Sequence, residues 1–168
     1  MLIRTRLTTH RLPSLRTGFG CLLILCLLGV SRLLVLIMPA RLYCQLFGRD
    51  LGVVPFSLLL SAQQKSRARR IGYLITRVAA YTPWRSLCLE QALCAQFFLR
   101  YYGIPAVTFF GVARDPAAGL KAHAWVCAGP VMVTGGQSFN QFTIVRTLLR
   151  PAQLRESVIQ ANAATAAR

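Results

Sequence analysis

Two residues have the chemistry of a nucleophile and its base, Cys88 and His123. Cys88 opens the segment CLEQALCAQFFLRYY, placing its sulfur in the first turn of a helix. Unpaired backbone N–H groups and the positive end of the macrodipole there favour negative charge on sulfur. The same N–H groups can donate to the oxyanion formed when a thiolate attacks an amide carbonyl. His123 lies in KAHAWVCA, a strand-like run whose alternation sends His123, Trp125 and Cys127 to one face and Ala122, Ala124 and Val126 to the other. Either residue alone has a commonplace reading, since free cysteines are often buried hydrophobes and histidines often satisfied core groups. Cys94, further along the same helix, takes that commonplace reading. Together, a helix-start cysteine and a sheet-borne histidine form the arrangement in which imidazole deprotonates a thiol and later protonates the leaving amine.

The elements that must position this pair are readable around it. Thr82 or Ser86 is the candidate N-cap of the cysteine helix, and Gly103 with Pro105 ends it. Residues 106–113 suit a strand, 114–121 a loop, 122–127 and 131–134 two strands about a Gly129-Pro130 turn, and 142–148 another strand. Upstream, a turn at Pro55 precedes an expected helix from Phe56 to about Ala80, carrying Lys65, Arg67, Arg69, Arg70 and Arg77. These cations are a solvated face or a docking strip for an acidic partner. The chain divides into a helical, basic and apolar N-terminal extension (1–80), a catalytic core (81–150) and a C-terminal tail (151–168), with the basic arm 1–17, including His10, given no chemistry.

Twenty Lys and Arg against four acids give a net charge of +16, which draws acidic partners without naming them. Neither zinc-finger spacing nor an RRM-type aromatic signature is present, so nucleic acid is not the expected partner. The six cysteines are scattered through apolar segments, with no CxxC pair and no His/Cys cluster, which disfavours a disulfide framework and a metal site and fits a reducing cytoplasm. Residues 18–38 are apolar enough to anchor in a membrane and follow four arginines, but Arg32 interrupts the run. A signal peptide and a buried or interface-facing helix are the other readings of this stretch, although no small-residue cleavage site follows it.

The strings PWRSLCLEQAL, FLRYYGIPA, FFGVARDP, AHAWV and VTGG, in that order, resemble the stand-alone leader peptidases of lasso-peptide biosynthesis, within the transglutaminase-like superfamily and related to papain in catalytic logic. The resemblance is strong over 81–149 and looser before it. It implies an α+β fold in which a nucleophile at a helix N-terminus packs on a small antiparallel sheet. It also implies hydrolysis of a ribosomally made precursor peptide, with Cys88 as nucleophile and His123 as general base and acid. The implied partners are a separate leader-recognition protein and an asparagine-synthetase-like lasso cyclase; no cofactor is implied. The third catalytic member, an Asp in the family, has no counterpart near Gly135 and Gly136, so Gln137, Asn140 or a backbone carbonyl is left to orient the imidazole. Trp84 and Trp125, near the two catalytic residues in sequence, are candidate walls of a substrate groove. A transglutaminase-like acyl transfer would use the same pair, whereas a basic membrane or nucleic-acid adaptor would need neither residue.

Overall fold

The computed structural model describes residues 15–53, 58–115, 119–137 and 139–149. The basic arm before Leu15, the Pro55 turn with Phe56, and the tail with Glu156 lie outside them.

The first helix, α1 (Leu15–Ile37), runs through the apolar stretch, and Pro39 follows its end. A short helix, α2 (Ala40–Gln45), and a two-residue strand, β1 (Arg49–Asp50), come next, neither foreseen from sequence. Then α3 (Ala62–Ala79) starts later than expected. The reason is a capping box: Ser61 accepts from the Gln64 backbone N–H while the Gln64 side chain accepts from Ser61 N. Leu58, just upstream, is instead buried in a side-chain cluster on the sheet.

The helix that opens on Cys88 is α4 (Cys88–Tyr101), followed by β2 (Val107–Asp115), β3 (Gly119–Ala128), β4 (Val131–Thr134), a 3-10 turn at Phe139–Gln141 and β5 (Thr143–Leu149). Strands β2 and β3 extend into what the sequence suggested was a loop, with Arg114 pairing Leu120 and Asp115 pairing Gly119. The sheet order is β1-β5-β2-β3-β4, every pair antiparallel. Helices and a small antiparallel sheet make this an α+β fold.

The alternation along β3 separates two apolar layers. Ala124, Val126 and Ala128 face the main core, where they meet Leu28 of α1, Ile71 and Ile75 of α3, and Leu93, Ala95 and Leu99 of α4. Trp125 lies in the second layer with Leu58, Val107, Phe109 and Leu149. Small residues on the helix-facing side of β3 let helix backbones approach closely, and each large aliphatic side chain buried there contributes about 1.5–3 kcal/mol. Gly72 marks such an approach on α3, because a Cβ at that position would collide with the Val133 carbonyl of β4.

Candidate active site

Helix α4 begins at Cys88 itself, with Leu87 in extended conformation at the N-cap. Neither expected capping residue holds that place. Thr82 Oγ1 donates within the loop, 2.7 Å from Trp84 O and 2.9 Å from Ala79 O, and lies 3.0 Å from Ser86 Oγ. Both hydroxyls therefore shape the loop before the helix. Leucine at the N-cap offers no side-chain acceptor and costs about 1 kcal/mol relative to Ser or Asp. That local sacrifice keeps the first-turn N–H groups free of a side-chain cap beside the sulfur. Gln91, one turn in, donates through Nε2 to Ser86 O at 2.9 Å and ties the loop to the helix.

His123 is half-buried on β3 beyond the end of β4, since Thr134, the last residue of β4, pairs with Val126. The chain then crosses in front of the imidazole, where Gly135 adopts φ +74° and its carbonyl oxygen lies 2.8 Å from His123 Nε2. A carbonyl can only accept, so Nε2 carries a proton, and in the neutral ring Nδ1 is then the nitrogen with the lone pair. Only glycine fits that crossing: a Cβ at 135 would stand 2.6 Å from Ala124 O and 2.8 Å from Trp125 Cβ, and the left-handed φ disfavours any side chain. The ring is fixed laterally by Trp125 (centroids 5.8 Å apart, interplanar angle 25°) and Phe142 (4.8 Å, 30°).

Cys88 and His123 line the same cavity, about 740 Å³ in volume. Its walls come from Arg69, Tyr73 and Thr76 of α3, the start of α4, and the segment from Met132 to Gln137. The lining mixes polar groups, among them Arg69, Thr76, Gln91 and Gln137, with apolar ones such as Leu87, Met132 and Phe139. Arg69 brings one member of the α3 basic cluster to this wall, whereas Arg67 and Arg70 border a separate cleft.

The two tryptophans do not wall the cavity. Trp125 is only 3% exposed and stacks between Phe109 and His123, serving as a backing plate for the imidazole. Trp84 packs on the main core, its ring against Gly29 of α1. Their flat apolar rings are used as core instead. Gln137 is exposed at the cavity's edge, and Asn140 is exposed in the 3-10 turn and absent from the lining. The imidazole donates through Nε2 to the Gly135 carbonyl, so the partner at that nitrogen is main chain and neither amide.

The remaining thiols differ in environment. Burial pushes the Cys94 thiol up to about 12 and the Cys127 thiol up to about 11, so both stay protonated near neutrality. Among the described residues no group of three or more His, Cys, Asp or Glu is placed to hold a metal ion.

One interaction was not visible in the sequence. Arg32, on α1, donates to Glu90 Oε1 at 2.8 Å, and Glu90 sits in the first turn of α4, two residues after Cys88, only 1% exposed. The apolar helix is thereby fastened to the turn that carries the sulfur.

A profile of the transglutaminase-like superfamily matches residues 34–147, about two thirds of the chain, from the end of α1 into β5. Comparison with curated proteins and with solved structures returned no significant match.

Proposed function

Because the chain belongs to the transglutaminase-like superfamily, we propose that it is a cysteine peptidase that removes the leader from a ribosomally made lasso-peptide precursor before the macrolactam ring is closed. The observation that carries this reading is the shared cavity of Cys88 and His123, with Nε2 of the imidazole tied to the Gly135 carbonyl. The order of sequence strings from PWRSLCLEQAL to VTGG supports the choice of substrate.

In this mechanism His123 Nδ1 takes the Cys88 proton as sulfur attacks the scissile carbonyl, forming the S–C bond. The first-turn N–H groups of α4 receive the developing oxyanion. Collapse breaks the C–N bond, and the imidazolium returns its proton to the departing amine, the new amino terminus of the core peptide. Water, deprotonated by the same nitrogen, then cleaves the thioester and frees the leader carboxylate. Leader recognition falls to a separate protein, and the released amine is joined to a side-chain carboxylate by an asparagine-synthetase-like cyclase.

The test is incubation of the full chain with precursor and recognition protein, followed by mass spectrometry. Cys88→Ala is expected to abolish cleavage, His123→Ala to slow it by about 10²–10⁴-fold, and Cys94→Ala to leave it nearly intact. Cleavage retained in Cys88→Ala would refute the proposal. A product carrying an added amine at the new carboxyl end would assign acyl transfer instead.

A further inference from the structure

Helix α1 has two unlike faces. Ile24, Leu28 and Ser31 are buried against the domain, and the Arg32–Glu90 pair pins the same side to α4. On the opposite side Phe19, Leu22, Cys26, Val30, Leu33 and Ile37 recur at intervals of three and four residues and are exposed, Phe19 by 71% and Ile37 by 72%. They form one apolar stripe roughly 27 Å long at 1.5 Å per residue. A stripe of that length with nothing on it among the described residues marks an interaction surface.

Its electrostatic frame is one-signed. Residues 1–49 contain seven arginines and no acid. Arg41 is exposed on α2, directly after α1, and Arg67 and Arg70 stand with Gly20 and Ile24 around a cleft at the flank of α1. Apolar side chains bordered by arginines match a layer of acyl chains beneath anionic headgroups. A protein partner would have to combine an apolar groove with an acidic rim, whereas an anionic bilayer presents both everywhere.

We infer that α1 is an in-plane membrane helix, which lays its outer stripe into the surface of an anionic bilayer while its inner face stays docked on the domain. By length and hydropathy the segment Gly18–Ile37 would also serve as a span. A span, however, must present every face to lipid, and α1 would first have to shed the buried contacts of Ile24 and Leu28 and leave Glu90 buried without its cation. The docked helix keeps those contacts and still places its outer side in the lipid. This inference is independent of the peptidase reading, since membrane binding uses neither Cys88 nor His123.

Flotation of the full chain with vesicles tests it, using phosphatidylglycerol mixed with phosphatidylethanolamine against pure phosphatidylcholine. The expected result is at least tenfold stronger binding to the anionic vesicles, weakening as salt rises. Leu33→Ser with Leu36→Ser, both at exposed positions of α1, should cut that binding at least tenfold, whereas Leu120→Ser, more exposed still but on β3, should not. Environment-sensitive labels at Leu22→Cys, Cys26 and Leu33→Cys, each in a background with the other accessible cysteines changed to serine, should report one common shallow depth. Depths graded along the helix would show a span and overturn the inference. So would failure to float, unchanged binding in the serine variants, or a dimer formed through this stripe in place of lipid binding.

Discussion

The imidazole of His123 is held by a main-chain oxygen at a residue that tolerates no side chain. Gly135→Ala must accommodate a methyl group 2.6 Å from Ala124 O in a left-handed conformation, which alone costs about 1–2 kcal/mol. The expected outcome is a lowered melting temperature and a larger fractional loss of kcat than of KM, read by calorimetry and peptide-cleavage kinetics. Cys94 offers a second check. Its thiol ordinarily titrates at 9.0, but burial pushes it up to about 12, so between those values the unfolded chain gives up a proton that the folded chain keeps. Stability from this group is fully present below pH 9 and declines as pH climbs toward 12. Denaturant midpoints measured across that window should fall less steeply in Cys94→Ala than in the parent. Cys88 and His123 could be singled out from sequence because each sits in a local pattern, a helix start and an alternating strand. The Gly135 carbonyl had no such signal. Main-chain acceptors occur at every residue, and only the crossing after β4 selects this one.

At the scale of elements, the approach of α3 to β4 depends on Gly72. Alanine there would raise helix propensity by up to about 1 kcal/mol. Its methyl group would meet a backbone carbonyl, which cannot rotate away, and overpacking of that kind costs about 1–3 kcal/mol. The clash should win, and thermal unfolding of Gly72→Ala should show net destabilisation. Activity should fall as well, because Arg69, Tyr73 and Thr76 on the same helix form a cavity wall. Strands β2 to β5 were legible because β-branched and aromatic runs are punctuated by Gly and Pro. The start of α3 was written in the spacing of Ser61 and Gln64, but the turn at Pro55 drew the expected boundary upstream. Helix α2 and strand β1 are too short for any periodicity, and β1 exists only because β5 offers Arg49 and Asp50 a partner edge.

Across the whole molecule, the link between α1 and α4 joins residues 58 positions apart, a separation that no local pattern encodes. In the sequence Arg32 is an anomaly within an apolar run; in the fold it neutralises a carboxylate that is otherwise sealed from water. Glu90 Oε2 has no hydrogen-bond partner among the described residues, so its charge leans on Arg32. Removing the cation alone, in Arg32→Ala, should destabilise by about 3 kcal/mol, the lower end of the usual range because the arginine is 32% exposed. Pairing Arg32→Met with Glu90→Gln should recover most of that loss in chemical denaturation. A double variant as unstable as Arg32→Ala would show that the apolar packing of α1, and not the ion pair, sets its hold on the domain.

The Gly135 oxygen has a consequence for heredity as well as for chemistry. A carboxylate or amide in that place would be lost with its own side chain, whereas this carbonyl is lost only when the path of the backbone shifts, and at Gly135 any side chain would shift it. It also neither gains nor loses a proton over the range in which proteins stay folded. The partner of the His123 ring is therefore stored in the path of the chain, and scanning a sequence for acids passes over it.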